Sequence, residues 1–211
     1  TLDALDVHFR GSVSSLSGLA VQAAGDVQWW VPLVVAGDAS IDAVGEITGD
    51  GSDATDLTAV RLDLAAGGNV NLDVELDILN ASTTGPGDIT ISEVDDVDVE
   101  SLSTQDGAIQ LTAGGNLRVL DIDAGIRDLS LTSTTGSIVG WVDAGTPRVR
   151  GHAGNFQAAT GIDIDTDLTI VIAAVDGVGS LAIRDEGTVD VQHLAVTGGN
   201  ADVSSGGSIN R

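Results

Sequence analysis

The chain has 211 residues, 42% hydrophobic side chains and a formal net charge of −24. This hydrophobic content suffices for a continuous core and argues against a disordered polymer. All eight basic side chains are arginine, and so acidic a chain excludes nucleic acid as a partner and disfavours an anionic membrane surface. The longest apolar runs, VPLVVA and IVIAAV, are far too short to insert into a membrane as a span.

The composition also limits the chemistry of the chain. It has no cysteine, so it has neither disulfides nor a thiolate nucleophile or metal ligand. Aromatic residues make up only 2%, which favours a core of many small aliphatic layers. The sequence starts with TLDALD and stops at SSGGSINR in mid-pattern. We expect one domain over residues 1–211, a piece of a longer or processed protein.

A repeat of about twenty residues runs through the chain. Units start at Leu19, Val70, Ile89, Ile109, Leu129, Phe156, Leu181 and Ala201. Within a unit, apolar residues occupy positions one and three, then nine and eleven, and a third apolar pair precedes a glycine. The spacing widens around Phe156 and between Ala39 and Val70, where we expect inserted loops.

Three short strands per twenty residues predict an all-β fold, a right-handed parallel β-helix (β-solenoid). Nine or ten such coils would form a rod roughly 45 Å long, with ladders of like residues inside. The competing fold is a pair of immunoglobulin-like sandwiches. A sandwich needs no twenty-residue register, and the chain has no tyrosine for a tyrosine corner.

Units such as GAIQLTAGGNLRVLDIDAG and LSLTSTTGSI resemble the repeats of filamentous-haemagglutinin-like exoproteins and other large bacterial β-solenoid surface proteins. The resemblance covers most of the chain and is one of pattern, without signature residues. It implies secretion to the cell surface or the extracellular medium and an adhesive or scaffolding role. It implies no catalytic residues.

The acidic residues offer two candidate calcium sites. The stretch IDIDTDLTI puts three carboxylates on one side of an extended strand and apolar residues on the other. The first candidate comprises Asp163, Asp165, Asp167, Asp185 and Asp190. The second is the loop GDGSDATD, with Asp50, Asp53 and Asp56. The alternative to Ca²⁺ binding is a solvated acidic wall, and no other cofactor is indicated.

One outward position recurs through the units. The repeat alignment assigns Asp98, Arg118, Asp165 and Asp190 to it. It predicts an ion pair between Asp98 and Arg118 in consecutive coils, and two like charges, Asp165 and Asp190, about 5 Å apart.

Tryptophan supplies the candidate contacts with a partner. Trp29 and Trp30 are adjacent on a strand, so an inward Trp29 leaves Trp30 outside. We expect Trp30 and Trp141 to contact a cell-surface glycan or protein. The alternative is that they pack beneath neighbouring loops.

The motifs give catalysis little support. There is no GxSxG elbow, HExxH motif or P-loop, and the three histidines lie far apart. We therefore expect a non-catalytic extracellular module: a rigid acidic scaffold that adheres through its surface, stacks on neighbouring coils or self-associates end to end into a fibre. The alternative is a carbohydrate-active β-helix enzyme, a lyase or hydrolase. That enzyme would need a cleft with an arginine and acids about 5–10 Å apart.

Overall fold

A computed structural model describes residues 2–11, 13–141 and 148–211 of the chain. In these ranges all secondary structure is β-strand, and every strand pairing is parallel. They hold no helix, and therefore no helical segment that is long and apolar enough for a bilayer crossing. The protein is a parallel β-solenoid.

The strands are short at both ends of the chain and include two long ones, β10 and β19. Their bounds are β1 Leu2–Ala4, β2 Val7–Phe9, β3 Val13–Leu16, β4 Leu19–Ala23, β5 Val27–Trp29, β6 Leu33–Val35, β7 Asp38–Ala43, β8 Ile47–Thr48, β9 Leu57–Ala66, β10 Val70–Thr83, β11 Ile89–Glu93, β12 Val97–Thr104, β13 Ile109–Ala113, β14 Leu117–Val119, β15 Ile122–Asp123, β16 Leu129–Ser133, β17 Ser137–Gly140, β18 Val149–Ala158, β19 Gly161–Val175, β20 Leu181–Asp185, β21 Val189–Val196, β22 Ala201–Ser205 and β23 Ile209–Asn210.

The coils stack so that equivalent residues pair from one coil to the next. One column of lateral partners crosses ten coils: Val7, Val27, Ile47, Val70, Ile89, Ile109, Leu129, Gly154, Val171 and Val191. A second column contains Val97, Leu117, Ile138, Ile162, Leu181 and Ala201. Because coils are about 4.8 Å apart, ten coils span roughly 45 Å.

Inward and outward residues alternate along the central strands, as the period of two requires, and the longer strands β9, β10, β12 and β19 break this alternation once where they pass a corner. In β11, for example, Ile89, Ile91 and Glu93 are buried while Thr90 and Ser92 are not. The inward side chains form one continuous aliphatic cluster. Aromatic rings enter it at few places, and the Phe9 and Trp29 rings stack at 5.2 Å in consecutive coils.

Gly154 gives the core room for its other large ring. It occupies the ten-coil column where the neighbouring coils have Leu129 and Val171. A Cβ at this position would lie 2.6 Å from both the Phe156 ring and the Leu168 side chain. The missing side chain therefore compensates for the volume of Phe156, which is fully buried.

The structure confirms the predicted stacking of Ile89, Ile109 and Leu129. The phase assigned to four other units was wrong. Leu19 pairs with Ala39 on a different face, Phe156 pairs with Leu131, Leu181 pairs with Ile162, and Ala201 pairs with Leu181. The wide interval before Val70 comes from a similar error of phase and from a loop from residue 49 to 56, because the lateral partner of Val70 in the preceding coil is Ile47 and not Ala39.

Replacing Ile109 by Ala tests the column packing. Ile109 is 1% exposed between Ile89 and Leu129, so its truncation leaves a cavity that rigid neighbouring coils cannot fill. We expect a loss of about 3 kcal/mol in unfolding free energy, measured by urea denaturation. Gln110→Ala, at the exposed neighbouring position, is the control and should change stability little. Equal losses in the two variants would contradict the assignment of inner and outer positions.

Candidate interaction surface

Aspartate and asparagine side chains connect successive coils at their corners. Asp6 Oδ1 accepts the Asp26 N–H at 3.0 Å, and Asp26 Oδ1 accepts the Glu46 N–H at 2.9 Å. Further along the same corner, Asp88 Oδ1 accepts the Ala108 N–H at 2.8 Å. A short side chain at this position thus reaches a backbone donor one coil away. These aspartates are structural for this reason.

The corner bond requires an oxygen acceptor and does not require a charge. Asn69 Oδ1 accepts the Asp88 N–H at 2.9 Å, in the same ladder as the aspartates. On another corner, Asn116 Oδ1 accepts the Ser137 N–H at 3.1 Å. The ladder therefore differs from a cation site, in which the carboxylate charge supplies much of the affinity.

Two substitutions of Asp88 separate these roles. Asp88→Ala removes the acceptor of the Ala108 N–H and should cost about 1 kcal/mol of unfolding free energy. Asp88→Asn keeps an acceptor oxygen and removes a charge from a strongly acidic chain, so it should retain most of the stability. Urea denaturation in low and high salt measures both. If Asp88→Asn loses as much unfolding free energy as Asp88→Ala, the charge of Asp88 and not its hydrogen bond stabilises the corner.

Three buried acids lie beside the unbroken strands β10 and β19. Asp56, Glu93 and Asp185 are each at most 5% exposed. Each accepts a backbone N–H from the adjacent coil: Asp56 from Asp73 at 3.0 Å, Glu93 from Leu76 at 3.1 Å and Asp185 from Leu168 at 3.0 Å. At these corners the long strand continues while its neighbour turns or ends. The carboxylate replaces the missing backbone acceptor.

Burial shifts the pKa of two of these acids. It raises the pKa of Asp56, and it raises the pKa of Glu93 to about 7, although the Leu76 and Asp95 N–H groups oppose this shift. Between its ordinary value and about 7, Glu93 therefore keeps its proton in the folded chain and loses it in the unfolded chain. Its contribution to stability declines as the pH rises through this window.

The Glu93→Gln variant tests this pH dependence. We expect the stability of the parent chain relative to Glu93→Gln to fall by on the order of 2–3 kcal/mol between pH 5 and pH 8. Urea denaturation at intervals of one pH unit measures it. Glu100→Gln is the control: the hydrogen bond from Arg61 lowers the pKa of Glu100, so its pH-dependent contribution is lost only below its ordinary value, and the difference between parent and Glu100→Gln should stay constant from pH 5 to pH 8. A difference between parent and Glu93→Gln that does not vary with pH would contradict the assignment.

The residues of the first calcium candidate do not face one point. Asp163, Asp165 and Asp167 project outward, as predicted, and Arg184 forms ion pairs with Asp163 at 2.7 Å and Asp165 at 2.5 Å. Asp185 lies on the inner side of the sheet and binds the Thr166 hydroxyl. Asp190 pairs laterally with Ile170. The predicted repulsion between Asp165 and Asp190 is wrong, because the partner of Asp165 is Arg184.

The second candidate, the loop before β9, uses its carboxylates internally. Asp56 is buried and also accepts the Asp50 N–H, while Asp50 accepts the Ser52 N–H and Asp53 is exposed. Among the residues that the structure describes, no group of three or more His, Asp or Glu side chains could hold a metal ion. Calcium binding thus remains a prediction that the geometry does not support.

Arginines neutralise part of the outer surface. Arg118 binds both carboxylate oxygens of Asp98 one coil away, as predicted. Other pairs join Arg61 to Asp63 and Glu100, Arg127 to Asp106, and Arg150 to Asp121 and Asp123. These pairs are partly exposed, so solvent screens the charges and each pair contributes little to stability.

Both candidate tryptophans are accessible to solvent. Trp30 is 53% exposed and Trp141 is 38% exposed, whereas Trp29 is buried as predicted. An arginine lies over each exposed ring: Arg10 at 5.3 Å from the Trp30 centroid and Arg118 at 4.4 Å from the Trp141 centroid. These cation–π contacts fix the rings and leave part of each available to a ligand.

A groove of about 540 Å³ brings together the groups that catalysis would need. Asp106, Arg127, Asp128 and His152 line it, and His152 Nδ1 lies 2.8 Å from Asp128. However, the hydrogen bond from Arg127 lowers the pKa of Asp106, which makes this carboxyl a poor general acid. The acids with raised pKa, Asp56 and Glu93, are buried and engaged with backbone donors.

One face of the solenoid carries almost no charge. We define the neutral strip as two outer columns of lateral partners. The first contains His8, Gln28, Thr48, Asn71, Thr90, Gln110, Ser130, Asn155, Ile172 and His193. The second contains Asp73, Ser92, Thr112, Thr132, Gln157, Ala174 and Ala195. Asp73 is the one acid among these residues.

Another face shows the contrast. Its outer column contains Asp38, Arg61, Ile78, Asp98, Arg118, Val139, Asp163, Ala182 and Asp202, most of them charged. No single motif reveals the neutral strip in the sequence. It becomes visible only when the outward residues are aligned by the coil register.

Comparison of the chain with protein-family models, with curated proteins and with solved structures gives no match. Its function is therefore inferred from the repeat, the fold and the surface.

Proposed function

We propose that this chain is a non-catalytic structural and adhesive module, an acidic scaffold that acts at the cell surface or outside the cell. The observation that carries the proposal is the use of its carboxylates. At the corners, beside the long strands and next to the arginines, they bind groups of the protein itself. A surface that uses its acids to hold coils together suits a stiff spacer.

Two lines support the location and the adhesive role. The repeats resemble those of filamentous-haemagglutinin-like surface exoproteins, which implies secretion. The exposed rings of Trp30 and Trp141 offer contacts to a glycan or to a protein partner. Small-angle scattering tests the scaffold itself: we expect a stiff rod whose length follows the number of coils, and a compact sphere would exclude it.

End-to-end association forms part of the proposal. Strand β22 pairs with β20 on one side, and among the described residues nothing pairs with its other edge. Val203 is only half-buried against the core, and Ile209 is 42% exposed in the same coil. A second set of coils would cover this edge and these apolar side chains.

The Val203→Asp variant tests this association. An inward carboxylate in the last coil would be buried by stacking, so we expect the variant to remain monomeric where the parent chain forms larger species. Sedimentation velocity over a concentration series measures this. Ser204→Asp, at the outward neighbouring position, is the matched control and should assemble like the parent. A parent chain that stays monomeric throughout would remove end-to-end association from the proposal.

The alternative, a carbohydrate-active enzyme, retains one specific observation, the groove that contains Asp106, Asp128 and His152. Incubation with a panel of polysaccharides, followed by measurement of released reducing ends and unsaturated sugars, distinguishes the two functions. Release that Asp128→Asn abolishes would favour the enzyme over the scaffold.

A further inference from the structure

We propose that the neutral strip binds an uncharged linear polysaccharide laid along the axis of the solenoid. This inference deepens the adhesive part of the proposed function and rests on it. It assigns the ligand to one face and to one chemical class.

The first argument is the charge pattern. A strip with one acid, Asp73, crosses ten coils of a chain whose net charge is −24. Beside it runs the corner ladder with Asp26, Glu46 and Asp88. An anionic polymer on the strip would lie beside these carboxylates and be repelled, and a second copy of the chain would bring its own acidic corners into the same space. An uncharged polymer avoids both penalties.

The second argument is the hydrogen-bonding chemistry of the strip. Gln110, Thr112, Ser130 and Thr132 form a central block of amides and hydroxyls, groups that both donate and accept. Sugar hydroxyls have the same dual capacity. Uncharged polar pairs at these two positions recur in four consecutive coils about 4.8 Å apart, from Thr90 and Ser92 to Asn155 and Gln157, so one arrangement of contacts can recur along a polymer made of repeating units.

The third argument is the position of Trp30. It directly follows Trp29. Its backbone N–H donates to the Phe9 carbonyl one coil away, on β2, where the neutral strip begins at His8. By alternation it projects to the same outer side as Gln28, and it is 53% exposed. A partly exposed indole at one end of a polar strip offers a surface on which a sugar ring can stack.

Affinity electrophoresis of the full chain tests the proposal. The gels contain hydroxyethylcellulose, xyloglucan or galactomannan as uncharged probes, and carboxymethylcellulose as the anionic counterpart of the first. We expect retardation by at least one uncharged polymer, little dependence on salt, and none by carboxymethylcellulose. The Thr112→Asp/Thr132→Asp double variant should weaken binding at least tenfold, and Trp30→Ala should weaken it several-fold.

The control is Ser101→Asp/Ser103→Asp, which adds the same two charges at half-buried outward positions of β12, on a different face. It should bind like the parent, and circular dichroism establishes that each variant is folded. Three outcomes would overturn the proposal: no retardation of the parent chain by an uncharged polymer, equal binding by the strip and control variants, or a dimer that only the strip variant breaks. The scattering and polysaccharide-degradation experiments test the scaffold function and are independent of these outcomes. Failure of the strip assignment therefore leaves the proposed scaffold function intact.

Discussion

Backbone hydrogen bonding between successive parallel coils is the constraint on which the whole structure depends. It fixes coil spacing and forces like residues into columns such as Ile89, Ile109 and Leu129. Wherever one coil turns while its neighbour continues, the ladder loses a backbone acceptor. Glu93 then supplies the acceptor from a buried position. At exposed corners, where successive coils both turn, Asp88 supplies an acceptor for the Ala108 N–H. Part of the acidic composition follows from this geometry.

The same constraint explains which parts of the fold could be predicted. Coils with a turn of standard length keep the twenty-residue spacing, so the register from Ile89 to Leu129 was correct. Where β10 and β19 pass a corner without a turn, the coil shortens: Val74 pairs with Leu57, and Thr166 with Val149, at seventeen residues. At these coils the predicted alignment of the twenty-residue units therefore lost its register. Long alternating runs without an internal glycine, in VNLDVELDILNAST and GIDIDTDLTIVIAAV, were the available signal.

The candidate site was predicted less well, because the inner or outer direction of an acid depends on that register. Asp163 and Asp165 project outward, but Asp185, in a unit whose phase was wrong, faces the core and not the proposed ion site. The tryptophans were easier to place, since adjacent residues on a strand must face opposite sides. The neutral strip was not foreseen, because only the three-dimensional register groups its members.

Lateral pairing between equivalent residues has a further consequence for how such a chain can change length. Ile109 and Leu129 are stacked partners, so the twenty residues from 109 to 128 bring the backbone back to an equivalent point one coil further on. Duplication or loss of this segment would join two backbone ends that occupy equivalent positions in successive coils. Each neighbouring coil would then still pack against a coil of similar shape. Evolution can therefore lengthen or shorten the protein in steps of one coil without changing the packing of its core.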